Sequence, residues 1–102
     1  MYRASDRTDN EDWLAELGAA ADSLELSGEA RSIAEEVFLS SVPDRDRSKR
    51  AVVAASLYAG ALVAGEQRSQ SSVADAAGVS RLTVQQRWKD VLENAGLRAP
   101  EW

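Results

Sequence analysis

The chain has 102 residues, 28% of them charged, with a formal net charge of −5 and neither cysteine nor histidine. That length supports one domain with a sizeable core, and the missing residue types exclude disulfides, thiolate or imidazole metal sites, and Ser-His-Asp or Cys-His catalysis. The seventeen acidic residues are scattered through helical patterns without an isolated pair, so no catalytic residue, metal, cofactor or small-molecule substrate is expected.

In chain order, residues 1–10 are polar and charged and read as a flexible N-terminus, unlike a signal peptide. Residues 11–97 read as a single helical domain. The first helix runs from Glu11 to about Leu24, with Trp13, Leu14, Leu17, Ala20, Ala21 and Leu24 on one stripe. Ser27 caps the second, whose inward face carries Ile33, Ala34, Val37, Phe38 and Ser41 until Pro43 stops it. The connector PDRDRS, residues 43–48, reads as a turn, with Ser48 capping the third helix. From Ala51 to Ala64 nearly every position is apolar or small, the mark of a helix surrounded by others; the run is too short to cross a bilayer. Gly65 ends it. A fourth helix spans Gln70 to Ala77, and a fifth Arg81 to about Asn94 with Gly96 as its stop. The tail, 98–102, has no readable pattern, although Trp102 is a candidate to pack back on the bundle. No strand-like alternation occurs, so the fold class is all-α, and a soluble cytoplasmic protein is expected.

The stretch 70–94 has the form of a helix-turn-helix. Ala74 is small where two helices cross, Gly78 supplies the reversal, Val79 plugs the turn, Ser80 caps the next helix, and Val84 and Trp88 recur at i, i+4. Such a unit places its second helix in the major groove of DNA. An αα-hairpin with no DNA partner would use the same residues, so the local pattern leaves both open.

Charge is polarised along the chain. Up to Val42 three arginines face ten acidic residues; from Pro43 onward nine basic residues face seven acidic ones. Arg45, Arg47, Lys49 and Arg50 form the densest basic cluster, at the start of the third helix where it opposes the helix dipole. Phosphate contact is the favoured reading, and pairing with the acidic first helix the other. Arg81, Gln85, Gln86 and Lys89 lie opposite Val84, Trp88, Val91 and Leu92, forming either a solvated polar face or a DNA-facing one. Trp13 and Trp88 read as core. Gly60 and Gly65 have the spacing of a phosphate-binding loop, but Glu66 and Gln67 stand where lysine and a hydroxyl residue would be needed, which rules it out.

The run from Arg45 to Gly96 resembles one cyclin-type repeat of archaeal transcription factor B, the relative of eukaryotic transcription factor IIB. The resemblance rests on Leu57-Tyr58 in an Ala-rich helix, Gly65, then Arg68-Ser69-Gln70, and on Val73-Ala74, Ala77-Gly78-Val79 and Thr83-Val84, with Trp88 where the family usually has tyrosine. It implies a five-helix cyclin-like bundle with a buried central third helix. It also implies base reading by Leu82 and Gln85, to which the polar face adds Gln86. Ser80, Arg81, Thr83 and Lys89 join the basic cluster as phosphate contacts. Gln85 stands where the family commonly has arginine, and glutamine suits adenine as arginine suits guanine.

The family's zinc ribbon and second repeat have no counterpart within these residues. The expectation is therefore a small archaeal transcription regulator binding double-stranded promoter DNA through its last helix, with the TATA-binding protein or another transcription protein as candidate partner. The alternative is a cyclin box that contacts the transcription machinery without touching DNA. The acidic surplus and the excess of arginine over lysine also resemble proteins of salt-loving archaea, in which an acidic surface maintains solubility.

Overall fold

The computed structural model describes residues 10–42 and 46–97, the side chains of 46–48 excepted. Three serines open helices in the same way. The Ser27 hydroxyl accepts the Ala30 N–H at 3.2 Å, Ser69 that of Ser72 at 3.0 Å, and Ser80 that of Thr83 at 3.2 Å. Each satisfies an amide that the first helical turn leaves without a partner. The helices are α1 (Glu11–Ser23), α2 (Gly28–Leu39), α3 (Asp46–Val63), α4 (Gln70–Ala77) and α5 (Arg81–Asn94). The exits are also alike. Past the ends of α1, α3, α4 and α5, the N–H groups of Leu26, Glu66, Val79 and Leu97 reach back to the carbonyls of Ala21, Ala61, Ala74 and Leu92. That is a Schellman closure, which needs one left-handed residue. Three ends use glycine, and α1 uses Glu25 at φ 57°.

Helix α3 packs against all four of the others, and every residue from Val52 to Leu62 is buried. Its small side chains make this possible. A Cβ on Gly60 would lie 2.8 Å from the backbone nitrogen of Ala34 and 2.9 Å from its Cα, so α2 and α3 touch backbone to backbone there. Larger groups fill the spaces on either side: Phe38, Leu17, Leu57 and Leu92 are among the fully buried side chains. Tyr58 meets Trp88 edge to face at 5.3 Å between ring centres, joining α3 to α5. Ser56, fully buried in α3, has a hydroxyl with no hydrogen-bond partner among the described residues.

The α3–α4 loop clamps the α1–α2 turn. The Glu66 carboxylate accepts both the backbone N–H of Ser27, at 2.9 Å, and its hydroxyl. The Arg68 guanidinium donates to the carbonyls of Leu24 (2.9 Å), Glu25 (3.3 Å) and Glu66 (2.7 Å). Hydrogen bonds from the Ser27 hydroxyl and amide hold the Glu66 carboxyl below its ordinary pKa against the opposing effect of desolvation, with a smaller pull from Arg68.

The bounds of α4 and α5 and the cap at Ser27 match the sequence reading, while two boundaries differ. Helix α3 begins at Asp46, so residues 46–48, expected as a turn, are helical and Ser48 lies inside the helix. An acidic first residue suits the helix dipole, and no breaker follows Pro43. Helix α2 ends at Leu39, short of Pro43. The Ser40 hydroxyl turns back to the Glu36 carbonyl at 2.9 Å, and the residue before a proline is biased out of the helical region. The expectations for residues 1–9, for the Pro43 stop and for Trp102 in the tail lie outside the described residues.

Gly60→Ala is expected to destabilise the fold by about 1–3 kcal/mol, because backbone rather than a pliable side chain must give way. Ser56→Ala should leave the thermal midpoint unchanged or raise it, since it removes a buried hydroxyl that gains nothing. Thermal unfolding of both variants checks the contrast.

Because the Glu66 pKa is lowered in the folded state, its contribution is complete above the ordinary glutamate value near 4.5 and disappears as pH falls through the folded value. Glu66→Gln is therefore expected to unfold at a lower temperature than the parent at neutral pH. The gap should close on acidification below that range, as calorimetry at stepped pH would record.

Candidate nucleic-acid interface

The two-helix unit is held from beneath by the core. Val73 and Ala74 on α4 and Val84, Trp88, Val91 and Leu92 on α5 are buried, and Val79 packs against them from the turn. Gly78 sits at φ 73° in the left-handed region, where a side chain would be strained. Its position next to Ala77 lets the chain reverse in three residues before Ser80 caps α5.

With that face buried, residues 81, 82, 85, 86 and 89 fall on one outward stripe, because three- and four-residue steps return to the same side of a helix. Arg81, Leu82, Gln85, Gln86 and Lys89 are all exposed. Leu82 is 56% exposed, the large hydrophobic side chain that remains in solvent among the described residues. Lys89 Nζ lies 5.6 Å from the Trp88 ring centre, at the far end of the stripe. Ser80 and Thr83 stand at the helix start with their hydroxyl oxygens 2.9 Å apart. The structure thus brings together the seven α5 residues, including its cap, that the sequence marks for base or phosphate contact.

The stripe has a partner that sequence reasoning did not include among the site residues. Gln70, first residue of α4, donates its side-chain amide to Gln85 Oε1 at 2.5 Å, while its own Oε1 accepts Arg81 Nη1 at 3.4 Å. Gln70 appears in the sequence only as a motif position. No periodicity rule pairs residues on different helices, so this link needs the crossing of α4 over α5.

Of the basic cluster, Arg50 is engaged within the molecule. The Arg50 guanidinium is 3.4 Å from Glu16 Oε2 and 5.5 Å from the Trp13 ring centre, and its Nη1 is 3.5 Å from the Ala77 carbonyl. It ties α3 to α1 and to the C-terminal end of α4, where the last carbonyls attract a cation. It also borders a cleft of about 220 Å³ lined by Ala19, Ala20 and Ser23 of α1 and by Ala76 of α4. Lys49 is half-buried one residue before it. Arg47 belongs to the first turn of α3, with its side chain undescribed, and Arg45 lies outside the described residues. Among the described residues, no three acidic side chains gather as a metal site would need, and no helix is long and apolar enough to cross a membrane.

Residues 9–94 match the family model described as "Transcription factor TFIIB repeat". The transcription initiation factor IIB of Pyrococcus horikoshii is 37% identical over 84 residues, which cover 78% of this chain and 28% of that protein. That of Archaeoglobus fulgidus is 36% identical over 78 residues, covering 72% of this chain and 24% of that protein. The chain therefore spans about a quarter of the length of these curated relatives. The family match covers all five helices, with α3 enclosed by the others and the two-helix unit last: the chain belongs to the transcription factor TFIIB repeat family, as a single cyclin-like repeat.

Proposed function

We propose that this repeat is a transcription regulator that lays α5 in the major groove of duplex promoter DNA. Leu82, Gln85 and Gln86 face base edges, while Ser80, Arg81, Thr83 and Lys89 face phosphates. The observation that carries this reading is the stripe around Leu82. An apolar side chain 56% exposed in the first turn of α5 is costly in water, and the thymine methyl offers it a complementary contact in the groove. Around it stand amide and cationic groups that match base edges and phosphates. The match to transcription initiation factors supports a role in transcription.

Arg45, Arg47, Lys49 and Arg50 are assigned to flanking phosphates on the same reading, Arg50 exchanging Glu16 for the DNA backbone. Affinity that rests on phosphate contacts falls steeply with salt. A chain of net charge −5 therefore needs a second protein on the same promoter, for which the TATA-binding protein is the candidate. The pairing of Arg50 with Glu16 and Trp13 favours a second reading, in which the repeat binds only the transcription machinery, because a carboxylate already partly neutralises that positive charge.

Fluorescence anisotropy with labelled promoter duplexes, run at several potassium chloride concentrations, separates the two. Arg81→Ala is expected to weaken binding about 3- to 10-fold across sequences and to reduce the salt slope by about one. Leu82→Asp should abolish measurable binding, and Glu29→Gln on α2 should change nothing. If Leu82→Asp and Arg81→Ala bind like the parent, or if no duplex is bound while capture of the TATA-binding protein persists, the second reading replaces the first.

A further inference from the structure

We propose that Gln70 is a positioning residue that decides which atoms of Gln85 meet a base, and that it makes Gln85 a donor directed at the acceptor edge of guanine. The proposal rests on the DNA-binding reading above and deepens it. Arginine carries only donors, so the atom of Gln70 that faces Arg81 Nη1 must be its oxygen. The Gln70 nitrogen then faces Gln85, and a nitrogen that donates requires an oxygen opposite it. Gln85 Oε1 is therefore the atom held at 2.5 Å. An amide is otherwise free to turn end for end, since its oxygen and nitrogen have nearly the same shape. Here Arg81 fixes the direction of the whole chain of hydrogen bonds, from Arg81 to Gln70 to Gln85.

The consequence is chemical. That bond takes up an Oε1 lone pair and leaves both Nε2 hydrogens of Gln85 to offer to a base. Guanine presents two acceptors in the major groove, N7 and O6, whereas the bidentate contact with adenine needs a glutamine oxygen for the N6 amine. The network thus replaces the adenine preference expected of a glutamine at this position with a guanine preference. Gln85 and Arg81 are exposed and Gln70 is half-buried, so water competes for these bonds and they orient more than they stabilise.

Two readouts on the full chain test this. In nitrogen-labelled protein without DNA, Gln70→Ala and Arg81→Ala should each displace the side-chain amide resonances of Gln85, and Glu29→Gln should not. In binding, selection from a duplex pool randomised over one helical turn locates the position that Gln85 reads, as the one whose preference vanishes in Gln85→Ala. There the parent is expected to favour guanine over adenine by at least about fivefold, and Gln70→Ala should level the preference. Gln70→Glu keeps the Arg81 contact, but its carboxylate can only accept from Gln85 Nε2. That turns Oε1 outward and should move the preference to adenine or cytosine, the bases that offer an exocyclic amine. Thermal midpoints verify that the variants fold.

A parent preference for adenine at that position, or guanine preference retained in Gln70→Glu, overturns the proposal. Unmoved Gln85 resonances with intact DNA binding sink the positioning role alone. Coupled resonances with no duplex bound by any form sink the DNA reading and the base assignment with it.

Discussion

The backbone contact between α2 and α3 at Ala34 and Gly60 is the constraint from which the rest of the bundle follows. A helix can be enclosed by four others only if some crossings are nearly free of side chains, since ordinary helix pairs stand 8–10 Å apart at the axes. Helix α3 meets that requirement with alanine, glycine and serine through its middle turns, and α2 answers with Ala30 and Ala34, both fully buried. Bulk is then confined to the flanks, where Phe38, Leu57 and the Tyr58–Trp88 pair fill the wider gaps. The orientation of α5, and so of its outward stripe, depends on Trp88 reaching Tyr58 on this central helix.

Polar groups set the angles that packing leaves free. Arg68 and Glu66 sit in one short loop yet reach the α1–α2 turn, where they take up two carbonyls, a backbone amide and a hydroxyl. Ser69, the next residue, opens α4. The six residues between α3 and α4 therefore register α1 and α2 and launch the two-helix unit. Arg50 makes a parallel connection from α3 to Glu16, to Trp13 and to the end of α4. As an exposed ion pair it adds little stability by itself, although the contacts with the ring and the carbonyl restrict where the guanidinium can lie.

The surface reconciles an acidic chain with a basic, hydrogen-bonding edge by separating the two along the sequence. Helix α1 carries Glu11, Asp12, Glu16 and Asp22 outward, whereas the α5 stripe carries Arg81 and Lys89 with two amides between them. Net charge describes solubility and long-range repulsion; a contact surface is decided by the few groups within a screening length of it. In the stripe those groups are mostly donors, and one of the two amides is already oriented by Gln70.

Much of the fold was legible in the residues. Serine before a helical run, glycine after it and apolar recurrence at three and four residues are local signals, and they placed α4 and α5, the caps at Ser27 and Ser80 and the burial of α3. The start of α3 was not legible, because PDRDRS has turn composition, yet the helix takes in residues 46–48, where an acidic first residue suits the helix dipole. The face of α5 that points outward also followed from sequence, since Val84, Trp88 and Leu92 must turn inward together. What that face touches within the molecule did not. The Gln70–Gln85 bond, the Arg50–Glu16 pair and the Glu66–Ser27 cap join residues 15, 34 and 39 positions apart. Periodicity reports the environment along one helix; a hydrogen bond between two helices depends on how they cross, which the summed packing of the whole core decides.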